Sequence, residues 1–135
     1  MPPQDLNKLF RYWLDLAKHE YKFATFALNS EEFALGGLFH LHLSMEAMLK
    51  ACIVKRQHEH APYSHNLEFL AGRSGIKFSE QKINILKHLN DFNIIGRYPE
   101  EMVDLLKKSK KEVLPVFIQV KELQAWLSKQ LKTKS

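Results

Sequence analysis

Residues 38–55, LFHLHLSMEAMLKACIVK, constrain the fold more than any other part of the chain. They form its most apolar long segment, and their apolar positions recur at helical spacing. On a helical wheel Leu38, Leu41, Met45, Met48, Leu49, Cys52 and Ile53 share one broad face, and Phe39, Leu43, Ala47, Ala51 and Val54 cover much of the rest. A helix apolar nearly all round belongs at the centre of a bundle. Yet His42, Glu46 and Lys50 follow one another at intervals of four, which stacks them along one side. Buried charge is costly unless paired, so this polar seam is satisfied by its own members, by another helix or by a ligand. The structural account is an internal ion-pair ladder that sets packing register; the functional account is the floor of a binding site.

Around that segment the pattern is helical throughout. Leu6, Phe10, Trp13, Ala17, Ala24 and Leu28 predict a long first helix ending near Leu28. Asn29 and Ser30 supply a turn and an N-cap, with Glu31 and Glu32 in the first turn of a second helix that runs to about Arg56. Gly36 and Gly37 interrupt it; close approach of a neighbouring helix accounts for them, and a kink is the competing explanation. Residues 57–64 read as a loop. His65, Asn66 and Leu67 then open a short helix closed by Gly72 or Gly75, and Ser79 caps a helix carrying Ile83, Leu86, Leu89 and Phe92. Gly96 and Pro99 punctuate the chain, and residues 100–110 fit either a loop or a weak helix. Val113, Val116, Phe117, Val120, Leu123, Leu127 and Leu131 predict a final helix, with Pro115 in its first turn or at a kink. No segment alternates as a strand and no internal repeat is visible. The expected fold is all-α: an up-and-down antiparallel bundle of four main helices and one short one, a single domain over residues 1–135 with disorder at 1–4 and 132–135.

A composition of 45% hydrophobic and 26% charged residues is that of a soluble globular chain. No apolar run reads as long enough to span a bilayer, and the N-terminus lacks the basic region and apolar core of a secretory signal, so a cytoplasmic location without membrane contact is expected. The single cysteine, Cys52, has no internal disulfide partner, and its place on the apolar face gives it a packing role. A formal charge of +5, with lysines gathered from Lys107 onward, permits contact with nucleotides or RNA without demanding it.

Seven histidines raise the question of a metal. His58, His60 and His65 share a flexible loop, His40 and His42 point in different directions from one helix, and there is neither an HExxH nor a cysteine pair. No metal and no cofactor is therefore expected. No GxSxG signals a serine hydrolase, and the glycines fit neither phosphate-loop spacing, so helix N-termini and side chains would have to meet any bound phosphate.

Several separated features nevertheless coincide with one family. Trp13 with Ala17, the segment FHLHLSMEAMLKA at 39–51, the triplet His65, Asn66 and Leu67, and the Gly96, Arg97, Tyr98, Pro99 turn stand in the order found in small HEPN domains. The chain resembles the prokaryotic, RYP-bearing kind, which is often encoded beside a minimal nucleotidyltransferase. That resemblance implies a helical bundle, usually a homodimer, with proposed roles in nucleotide or RNA binding and in partnership with nucleotidyltransferases. Many such proteins are metal-independent ribonucleases, some of them toxins, whose signature is an arginine followed after four to six residues by a histidine. This chain departs from it: Met102, Val103 and Asp104 occupy the positions after Arg97, and Arg11, Arg56 and Arg73 also lack a histidine at that spacing.

Arg97 offers a rigid fork for phosphate, Tyr98 a ring to stack or a hydroxyl to donate, and Pro99 a fixed turn. With His42, Glu46, Lys50 and His65 they form the candidate nucleotide- or RNA-binding set, and no catalytic residue is assigned. The competing structural account pairs Arg97 with Glu46 across the bundle. The expectation is thus a non-catalytic HEPN domain that binds a nucleotide, RNA or a nucleotidyltransferase. Its alternatives are a metal-independent ribonuclease with a rearranged site, Arg97 with His42 or His65, and a purely structural dimeric scaffold.

Overall fold

The apolar segment does become the central element. In the computed structural model, which describes residues 3–132, the chain forms α1 (Pro3–Ala27), α2 (Ala34–Gln57), α3 (Leu67–Arg73), α4 (Glu80–Asn90) and α5 (Pro99–Lys132). A single 3-10 turn, Glu31–Phe33, leads into α2. No strand occurs among the described residues. Every other helix packs on α2, whose Leu38, Leu41, Met45, Leu49, Cys52 and Ile53 are completely buried. Each such aliphatic side chain contributes about 1.5–3 kcal/mol relative to exposure in water.

Cross-helix partners run in opposite order along the chain, which makes neighbouring helices antiparallel. Phe10 meets Lys55, Trp13 meets Lys50, Ser44 bonds to Ala17 and His40 pairs with Glu20 between α1 and α2. Glu68 pairs with Lys87 and Asn66 with Asn90 between the α3 and α4 segments, and Asp91 reaches Lys108, His88 reaches Glu112 and Lys82 covers Trp126 between α4 and α5. The all-α bundle expected from periodicity is the observed fold.

Its details correct several expectations. Ser30 precedes the 3-10 turn but makes no side-chain cap, and the α-helix starts three residues after Glu31, at Ala34. A Cβ on Gly37 would lie 2.4 Å from Leu28 Cδ2, so this glycine lets α1 and α2 approach closely, whereas Gly36 meets nothing within 4 Å. Gly72 is helical; α3 ends at Arg73, and it is Gly75 that takes a positive φ beyond it. Ser79 does cap α4, accepting from Lys82 N, while Phe92 lies past the end of that helix and is still fully buried. Residues 100–110 are helical and continuous with the final helix, so Pro115 lies well inside α5 rather than in its first turn, and Pro99 opens the helix. Disorder was expected at 1–4 and 132–135: residues 1–2 and 133–135 lie outside the described residues, whereas Pro3, Gln4 and Lys132 are helical. The expectation that no apolar run is long enough to span a bilayer is corrected on length and composition alone: residues 31–57 qualify, and 83% of the qualifying window is buried inside the bundle.

A buried polar seam that opens at His65

The polar residues of α2 converge with a loop residue that lies far from them in sequence. Lys50 Nζ donates to Glu46 Oε2 at 3.0 Å, and His65 Nδ1 donates to Glu46 Oε1 at 2.9 Å, so both carboxylate oxygens are engaged. Glu46 and Lys50 are buried, whereas the His65 side chain is 49% exposed. Trp13 of α1 presents its ring to Lys50 Nζ, 4.9 Å from the ring centroid, and completes the cover over the cation. The internal ladder predicted by the four-residue spacing is therefore present between Glu46 and Lys50, but its third member is His65 rather than His42, which makes no ion pair with Glu46 among the described residues.

His42 extends the seam inward. Its Nε2 donates to the His65 carbonyl at 3.1 Å, which fixes the tautomer, and its Nδ1 is buried with no hydrogen-bond partner among the described residues. Burial holds this imidazole below the usual histidine range, opposed by the Glu46 carboxylate and the His65 carbonyl, so it is neutral near pH 7. Asn66 holds the loop in place. Its Oδ1 accepts from Glu68 N and Phe69 N as the N-cap of α3 and from Asn90 Nδ2, while Asn90 Oδ1 accepts from Leu67 N. Trp13 and Asn90 were not foreseen as part of this site. In sequence Trp13 reads only as part of the apolar stripe of the first helix and of the family pattern, and nothing local marks an asparagine at the end of α4 as the clasp for a loop 24 residues earlier.

Arg97 and Tyr98 occupy a different position. The Arg97 guanidinium donates to the Asp91 carbonyl (2.9 Å), the Asn93 carbonyl (3.2 Å) and Glu101 (3.3 Å), closing the turn between α4 and α5. Gly96 takes φ +80° immediately before it, a conformation that a side chain would strain. The proposed pairing of Arg97 with Glu46 is corrected: no hydrogen bond or ion pair joins them among the described residues, because the nearer His65 and Lys50 occupy the carboxylate. Tyr98 is exposed, and its N–H lies 3.4 Å from Glu101 Oε1, the reach-back half of a capping box at the start of α5. The six candidate residues therefore divide into a seam of four and a turn of two, linked through the α4 terminus.

No three histidine, cysteine, aspartate or glutamate side chains gather to hold a metal among the described residues. Burial pushes the Cys52 thiol up to about 12, far from reactive thiolate chemistry.

Fold and site together define a small helical-bundle domain whose buried charged seam reaches solvent through one histidine. The profile of the HEPN domain matches residues 10–130, and the chain belongs to the HEPN family. No curated protein and no solved structure gave a match.

Proposed function

We propose that this HEPN domain binds a nucleotide or RNA through a phosphate at the mouth of the seam, and does so without cleaving it. The observation that carries this reading is the half-exposed His65, anchored at Nδ1 by a buried carboxylate and leaving Nε2 without a protein partner among the described residues. In the imidazolium form the ring donates from Nδ1 to Glu46 and from Nε2 to an anion, and because it is pre-oriented little rotamer entropy is lost on that contact. Membership of a family generally concerned with nucleotides and RNA points the same way. Absence of the arginine-to-histidine spacing removes the usual support for cleavage, and His42 is too deeply buried to reach a substrate.

The test is calorimetric titration with ATP, GTP and a short single-stranded RNA. Wild type should bind saturably, and His65→Ala should weaken binding about tenfold with unchanged helicity, the equivalent of one charge-assisted hydrogen bond. Absence of binding to the whole panel would overturn the reading.

Two further features support narrower versions. Ile95, Tyr98, Val103 and Leu106 are all exposed apolar residues around the RYP turn, which suits a protein partner; a nucleotidyltransferase is the partner we propose for it. The oriented His65–Glu46 pair also has the form of a general base with its positioning carboxylate. Cleavage of single-stranded RNA without metal, lost in His65→Ala, would favour the ribonuclease alternative over simple binding.

A further inference from the structure

A groove between α1 and α5, floored by α2, takes no part in the seam. It encloses about 390 Å³, within the range of small-molecule sites. Its floor residues Ser44 and Met48 each sit two positions from a seam residue, which is about 200° round the helix. Ala17, Met48 and Ala125 make most of its surface apolar, and Tyr21, stacked on Phe117, forms one wall.

One polar chain crosses the floor. Gln124 Nε2 donates to Ser44 Oγ at 2.9 Å, and Ser44 donates in turn to the Ala17 carbonyl at 2.7 Å. Because Ser44 has committed its proton to Ala17, only the nitrogen end of Gln124 satisfies it, and the amide orientation is fixed. Gln124 Oε1 is consequently left buried with no partner among the described residues, on a residue that is only 8% exposed. An orphaned acceptor of this kind is destabilising, and because it is covered in the free protein a donor reaches it only as a ligand enters and the side chains of the groove give way. At the rim stand Lys18, Lys22 and Lys121, all exposed and none in an ion pair among the described residues.

We infer that this groove binds a small aromatic acid: a flat ring lying between Tyr21 and Met48, a ring N–H or O–H donating to Gln124 Oε1, and a carboxylate held at the lysine rim. Each part answers a feature of the groove. The apolar walls favour a ring over a nucleotide, whose ribose and base edges would be buried with most of their polar atoms unmatched. The three ammonium groups supply the charge that the carboxylate needs at the entrance, where water remains available to both.

The experiment follows the Met48 methyl signal in protein labelled with [methyl-13C]methionine. Titration with indole-3-acetate and 4-hydroxyphenylacetate should shift it saturably. Binding should be at least about tenfold weaker for 1-naphthaleneacetate, which keeps shape and charge but lacks the donor, and for indole, which lacks the carboxylate. Ala125→Trp, placed at the exposed lip, should abolish binding with unchanged helicity, and the surface change Lys121→Glu should weaken it. No saturable shift with either acid up to its solubility would overturn the inference, as would equal binding by Ala125→Trp. Equal affinity for the naphthalene acid would overturn the role of Gln124.

Discussion

Glu46 is the residue on which the seam depends, because among the described residues it alone neutralises Lys50 and orients His65. Replacing one member of a buried pair strands the other, so Glu46→Leu should cost about 3–5 kcal/mol in urea unfolding. Adding Lys50→Met should recover most of that loss, since two apolar side chains pack where two charges had to be desolvated. His42 gives the seam a pH dependence whose sign follows from burial. Its folded-state pKa lies below the ordinary histidine value, so in the window between them the unfolded chain binds more protons and stability rises with pH. The His42 contribution is complete above about pH 6.5 and is lost as the pH falls below it. Urea midpoints measured near pH 7.5 and near pH 5.5 should therefore differ less in His42→Gln than in wild type. The sequence made the three seam positions legible because spacing of four residues is a local signal. It placed His65 in the same candidate set but did not reveal that His65 takes the second Glu46 oxygen, since the two lie 19 residues apart and only tertiary packing brings them together.

The helices themselves show where local rules suffice. Gly36 and Gly37 read alike in sequence but differ in surroundings, one open and one pressed against Leu28. Gly36→Ala should stabilise by up to about 1 kcal/mol through helix propensity. Gly37→Ala should destabilise, because the Leu28 side chain must move to admit the methyl group; thermal midpoints of the two variants should move in opposite directions. The caps at Asn66 and Ser79 were legible for the same local reason. The length of α5 was not. Pro115 usually argues against a helix interior, and along residues 100–110 only Leu105 and Ser109 are buried, too weak a stripe to reveal a helix.

At the scale of the whole molecule, α5 carries, beyond Val103 and Leu106 at the RYP turn, a second exposed apolar row one helical turn long, Leu114 and Ile118. The homodimer implied by the family resemblance has in this row a surface to use. Light scattering should give a mass twice 15.8 kDa, and Leu114→Glu with Ile118→Glu should return it to the monomer value at unchanged helicity. A monomeric wild type would reserve the row for a different partner. Charge acts over the same scale: any RNA binding by this +5 chain should weaken as salt rises, in proportion to the phosphates contacted. The chain also contains its own optical probe. Its two tryptophans each lie beneath a lysine, Trp13 under Lys50 of the seam and Trp126 under Lys82 of α4. Indole emission responds to a nearby cation, so in Trp126→Phe the remaining fluorescence would report how firmly Glu46 holds Lys50 while His65 is occupied. An event at the surface would then be read as colour from the interior.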